Sequence, residues 1–171
     1  MAGVDRLGRI HLPPAHEPLA YFISFRGYGT WLHGDERGSV DGKHCGYGTE
    51  FAPPHLGVAE AERARMKHPP VRLSDAAREI VERTLEEVCK HRAWVLHAQN
   101  ARTNHVHLVV RAPGRTPERV SEDLKSWCTR RLREAGIVPR DVQPWSRGRS
   151  NPYLWKDEDV RAAVAYVMDG Q

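Results

Sequence analysis

Two β-prone runs, AWVLHAQNA (93–101) and NHVHLVVRA (104–112), stand on either side of Arg102–Thr103. With so short a spacer the second run must turn back beside the first, so the pair reads as an antiparallel hairpin. Side chains alternate along a strand, which puts Val106, Leu108 and Val110 on one face and His105, His107, Val109 and Arg111 on the other. The first set is apolar and should meet helices. The second places two imidazoles about 7 Å apart along one side of a strand.

The hairpin fixes how the rest must be arranged. LAYFISFRGY (19–28) reads as an earlier strand. Ser74 is an N-cap for the helix DAAREIVERTLEEVCKHR, whose Ile80, Val81, Leu85 and Val88 form an apolar stripe. Thr116 caps a second helix with Pro117 in its first position, and Val120, Leu124, Trp127, Cys128 and Leu132 point inward until Gly136 stops it. WSRGRSNPYLW gives a turn and a short strand, and DEDVRAAVAYVMDG a last helix before Gln171. The order strand, helix, strand, strand, helix, strand, helix predicts an α+β fold, a ferredoxin-like antiparallel sheet with helices packed on one face. Between the first strand and first long helix, residues 29–73 are rich in glycine and proline and form a long insertion with one short helix near 58–67. The reading is of a single domain over 1–171 carrying that insertion.

Composition narrows the function classes. The chain of 171 residues has 40% hydrophobic and 28% charged residues, which suits a globular protein with its own core. No apolar run is long enough for a membrane span and no leader pattern opens the chain, so a cytoplasmic, nucleoid-associated protein without a membrane partner is expected. A net charge of +4 and a pI near 9.1 are compatible with nucleic acid. Cys45, Cys89 and Cys128 are scattered, which argues against a disulfide framework or a thiolate zinc site.

His105 and His107 can both reach one divalent ion, and a strand holds them more rigidly than a loop. The plainer alternative is a solvated sheet face, because two ligands fall short of a working site. Support comes from the last helix, which carries Tyr166, with Gln171 just beyond Gly170.

Together these residues resemble a known family. NHVHLVV is similar to the histidine–hydrophobe–histidine motif of HUH nucleases. The order of motif, basic helix and tyrosine helix is that of their single-tyrosine transposases. The likeness is greatest to the insertion-sequence 200/605 group and its REP-associated tyrosine transposases. GYGTWLHGDERGSVD and the late YLW…YV…GQ resemble that second branch, and the likeness runs from about residue 19 onward. It implies that His105, His107 and Gln171 ligate Mg²⁺ or Mn²⁺ and that Tyr166 is the nucleophile. The implied chemistry is cutting and rejoining of single-stranded, hairpin- or repeat-containing DNA through a 5′-phosphotyrosine. One departure stands out. The usual spacing is Tyr-x-x-x-Gln, whereas Gln171 is five residues beyond Tyr166 and so about 140° around a continued helix. A left-handed cap at Gly170 would turn Gln171 back, and Asp169 is the alternative ligand.

Candidate DNA contacts are Lys125, Arg130 and Arg133 on the second long helix, and Arg147, Arg149 and Lys156 among Trp145, Tyr153 and Trp155. In the insertion, Trp31, His33, Asp35 and Arg37 could shape the site or touch DNA, His44 and Cys45 could hold a stray metal, and packing against the sheet edge is the commonest role for such a segment. The runner-up function is a domesticated, cleavage-inactive binder of single-stranded DNA or RNA on the same fold. A two-histidine phosphoesterase would need two His-x-Ser/Thr motifs, which the chain does not have. A homodimer, with the tyrosine helix acting in cis or in trans, is compatible with the resemblance.

Overall fold

The computed structural model describes residues 3–4, 10–11, 17–36 and 53–169. Strands β1 (Gly3–Val4) and β2 (Ile10–His11) pair with each other apart from the main sheet. The remaining elements are β3 (Ala20–Gly27), α1 (Leu56–Ala64), α2 (Asp75–His91), β4 (Val95–Ala101), β5 (His105–Arg111), α3 (Pro117–Glu134), β6 (Trp145–Ser150), β7 (Tyr153–Leu154) and α4 (Asp157–Asp169). The order β4-β5-β3-β6 is fully antiparallel, with β7 continuing β6 along the outer side of β3. This is the ferredoxin-like arrangement expected from the hairpin, with β5 flanked by β4 and β3.

Helices α2 and α3 cover one face. There Tyr21, Ile23 and Phe25 of β3 and Val106, Leu108 and Val110 of β5 meet Val81, Leu85, Val120, Leu124, Cys128 and Leu132. The expectation of helices on one face holds for these two. Helix α4 lies on the other, because its Val160, Ala163, Val164 and Val167 recur at helical spacing and bury Ala20, Ala98, Val109 and Leu154. That position brings the tail of the chain to the face that carries the histidines. Among the described residues, no helix is long and apolar enough to cross a membrane.

The helix boundaries follow the capping chemistry. Ser74 accepts from the Ala77 amide at 3.2 Å and Thr116 from Arg119 at 3.4 Å. Gly136, at φ +72°, ends α3 with its own amide on the Arg133 carbonyl and that of Ile137 on Leu132, both at 3.0 Å. α2 closes in the same way, but Ala93 occupies the left-handed position at φ 56°. Its amide reaches Lys90 at 3.2 Å, and Trp94 reaches Cys89 at 2.8 Å. An alanine there carries a steric cost that glycine does not. Ala93→Gly is therefore expected to stabilise the fold by about 1 kcal/mol and to raise Tm by roughly 2–4 °C in a thermal melt.

The described part of the insertion packs against the end of the sheet next to the hairpin turn. The Val71 amide donates to Tyr28 at 2.8 Å and Leu73 to Thr103 at 2.7 Å, while Gly27 donates to Asn104 at 2.9 Å. Gly27 is needed here, since a Cβ at this position would lie 2.2 Å from the Val71 carbonyl oxygen. Thr30 Oγ1 adds a bond to the Asn104 carbonyl at 3.2 Å. The insertion thus holds residues 103–104, immediately before His105. Arg37, His44 and Cys45 lie outside the described residues.

Candidate active site

β5 projects His105 and His107 from the face opposite α2 and α3, as the alternation requires, with ring centroids 4.5 Å apart. Each ring has a neighbour at Nδ1. His105 Nδ1 lies 2.8 Å from Asn104 Oδ1, and His107 Nδ1 lies 2.5 Å from Ser24 Oγ on β3. Asn104 Oδ1 can only accept, so His105 Nδ1–H donates and its Nε2 keeps the lone pair a metal ligand needs; Ser24 Oγ can accept from His107 Nδ1–H and leave that ring's Nε2 the same. Ser24 faces His107 because the two are register partners between β3 and β5. Burial, aided by His105, Arg26 and Arg102, pushes the His107 pKa down to about 4, so the ring is neutral at neutral pH.

α4 carries Tyr166 to this pair within the same chain. Its ring centroid is 5.8 Å from His107 and 5.8 Å edge-on from Phe22. Phe22 in turn stacks on His107 at 5.4 Å. Tyr166 remains 48% exposed, so a large substrate can reach it. The end of α4 is tied to the sheet by Asn100 of β4, whose Nδ2 donates to the Val167 carbonyl at 3.0 Å. That carbonyl is one of the four that a helix end leaves unpaired. Asn100 is also the register partner of His107, so one residue links the histidine strand pair to the tyrosine helix. Asn100→Ala is expected to cost about 1 kcal/mol of stability and to slow any chemistry of Tyr166 by about ten-fold, a deficit that Asn100→Gln relieves in part. Comparing the melts and rates of the two variants checks this.

The other predicted site residues are placed as follows. Gln171 lies outside the described residues. Asp169 is exposed at the end of α4, and among the described residues no group of three or more His, Cys, Asp or Glu side chains is gathered to hold a metal. Lys125, Arg130 and Arg133 sit on α3, across the sheet from the histidines. Lys125 Nζ donates to the Ser146 carbonyl at 3.1 Å and Arg133 to that of Val142 at 3.1 Å, so both fasten the tail to α3. The Arg130 guanidinium lies 4.7 Å from the Trp127 ring centroid. Arg147 and Lys156 are exposed, and Lys156 pairs with Glu158 at 3.3 Å. Arg149 belongs to β6 opposite Phe25.

The aromatics of the tail divide in two. Trp145 is buried, with Nε1 donating to the Lys125 carbonyl at 3.2 Å and to Thr129 at 3.1 Å, which removes it from any base-stacking role. Tyr153 and Trp155 are exposed and stack at 5.9 Å.

Sequence reasoning missed Phe22, Ser24 and Arg26 of β3, and Asn100 and Arg102 of the hairpin. Phe22, Ser24 and Arg26 share parity along one strand, a usable signal once β3 is paired with β5. Nothing local in the sequence reveals that register.

The chain has relatives. The family of IS200-like transposases matches residues 65–157, more than half the chain, including both histidines and ending before Tyr166. No curated protein matches the sequence. Among solved structures, a candidate transposase from Deinococcus radiodurans R1 is 15% identical with a TM-score of 0.50, the match covering 96% of this chain and 95% of that one. This is a likeness of fold. A REP-associated tyrosine transposase bound to a REP hairpin is 11% identical with a TM-score of 0.46, the match covering 86% of this chain and 63%, less than two thirds, of that one. By its sequence match and the strand order built around the histidine hairpin, the chain belongs to the IS200-like transposase family.

Proposed function

We propose that this transposase is a single-tyrosine nuclease that cuts and rejoins single-stranded DNA containing hairpins or repeats. One observation carries the reading: Tyr166 stands 5.8 Å from His107 in one chain. Two imidazoles on one strand, His107 among them neutral, beside a half-exposed tyrosine suit phosphoryl transfer better than other nucleophilic chemistry.

In this reading the Tyr166 hydroxyl oxygen attacks the phosphorus of a phosphodiester. A bond from phosphorus to the tyrosine oxygen forms, the bond to the 3′-oxygen breaks, the phenolic proton passes to solvent and the leaving oxygen takes up a proton. The product is a 5′-phosphotyrosine and a free 3′-OH. Attack by a 3′-OH of another strand reverses the step and completes strand transfer without ATP.

The donor set fits half of a metal site. His105 and His107 would hold Mg²⁺ or Mn²⁺ through Nε2, with Gln171 and water supplying further ligands. When bound, such an ion polarises the phosphate and offsets charge on its oxygens. Asn104 would keep His105, and Ser24 would keep His107, in the ligating tautomer. Phe22 and Asn100 position the tyrosine helix.

The test is incubation of the protein with labelled single-stranded hairpin DNA in Mn²⁺ or in EDTA. A protein–DNA adduct that survives denaturation, formed only with the cation, is the expected result. DNA retained on a native gel with no adduct under any condition would replace this reading with that of a cleavage-inactive nucleic-acid binder.

A further inference from the structure

Two arginines that no sequence motif marked flank the histidines. Arg26 is the register partner of His105 on β3, two residues on from Ser24, whose hydroxyl meets His107, so Arg26 projects from the same face. Arg102 lies just beyond β4 on the other side of β5, with its amide donating to the His105 carbonyl at 2.8 Å. It stands one residue past the end of β4, and its charge is close enough to act on the His107 ring. The histidine strand is therefore bordered by an arginine of β3 on one side and by an arginine just past β4 on the other.

Arg26 is also held from behind. Its guanidinium carbon lies 3.5 Å from the centroid of the Trp31 ring, and the turn that carries Trp31 is fixed by Thr30 Oγ1 on Gly27 at 2.8 Å. Stacking on the Trp31 face restrains the plane of the Arg26 guanidinium, a planar fork of the kind that matches phosphate oxygens in pairs. This gives Trp31 a positioning role.

We propose that Arg26 and Arg102 bind the non-bridging oxygens of the phosphodiester that Tyr166 attacks, one from each side of the histidines, with Trp31 positioning Arg26. This rests on the nuclease reading above. The ligand is an anionic phosphodiester in single-stranded nucleic acid, and the effect is on charge that grows as the phosphate is attacked.

The experiment has two arms, both on the full chain. In the first, adduct formation is timed at saturating single-stranded DNA with Mn²⁺. Arg26→Ala and Arg102→Ala are each expected to slow it by about 10²-fold, the lysine variants by less, and Trp31→Ala by about ten-fold. Arg111→Ala, at the far end of the same strand, leaves it unchanged. In the second arm, binding of the same DNA is measured in EDTA across a range of salt. The double alanine variant is expected to lose about one unit of the salt slope. Native rates in both alanine variants overturn the proposal. If the native chain itself forms no adduct, the nuclease reading fails, and the binding arm alone decides the clamp: an unchanged salt slope overturns it, and a reduced one supports it. Should Arg26→Ala not fold, Arg26→Lys keeps the stem and charge while removing the planar fork, and the same comparison applies.

Discussion

Tyr166→Phe is expected to abolish the covalent protein–DNA adduct while leaving the fold and DNA binding intact. The substitution removes one hydroxyl. The ring contacts to His107 and Phe22, both at 5.8 Å, need only the ring and survive it. With the side chain 48% exposed, no buried hydrogen bond is broken, so the expected change in stability is below about 0.5 kcal/mol. Loss of a nucleophile, by contrast, removes the covalent step itself, and a fall of at least about 10³-fold in strand cleavage follows. Denaturing gels of labelled DNA give the adduct, native gels the binding, and a melt the fold. Adduct at the native rate in the phenylalanine variant would assign the chemistry to another residue.

The second large effect is expected at His107. His107→Ala removes one donor of the pair together with the partner of Ser24 Oγ and the ring that Phe22 stacks on. Cation-dependent cleavage should fall by about 10³-fold, and excess Mn²⁺ should not restore it, since the strand then offers only His105. Stability should fall by about 1–2 kcal/mol from the lost packing and the abandoned hydroxyl. Because Tyr166 and His107 meet within one chain, mixing the Tyr166→Phe and His107→Ala proteins is expected to give no adduct. Adduct in the mixture would mean that two copies exchange α4.

The sequence and the structure agree most where the signal is local. Ser74 and Thr116 start their helices and Gly136 stops one, because each acts on the backbone within a few residues. The histidine face was equally legible, since alternation along β5 needs only that the segment be a strand. The placement of α4 was not. Its stripe of Val160, Ala163, Val164 and Val167 shows that one side is buried but not which face of the sheet buries it. Only the pairing of β6 and β7 along β3 delivers the chain to the histidine side.

The same limit applies to the cations. Lys125 and Arg133 read as one basic helix face, yet each ends on a carbonyl of the tail, at Ser146 and Val142. Arg26 and Arg102 carry no pattern of their own and reach the histidines only through strand register. Trp145 stands among arginines in the sequence and is nonetheless core, because the edge strand it begins turns it onto Phe25 at 4.9 Å. Neighbours in a strand tail share sequence but not a side of the sheet.

The most direct measurement is to isolate the adduct formed with Mn²⁺ and a hairpin-bearing single strand, digest it, and identify the modified residue and the DNA end by mass spectrometry. The account predicts one site, Tyr166, joined through phosphate to the 5′ end of the downstream fragment, with a free 3′-OH on the other. A modified residue other than Tyr166, a 3′-linked fragment, or cleavage that yields only free ends would contradict it.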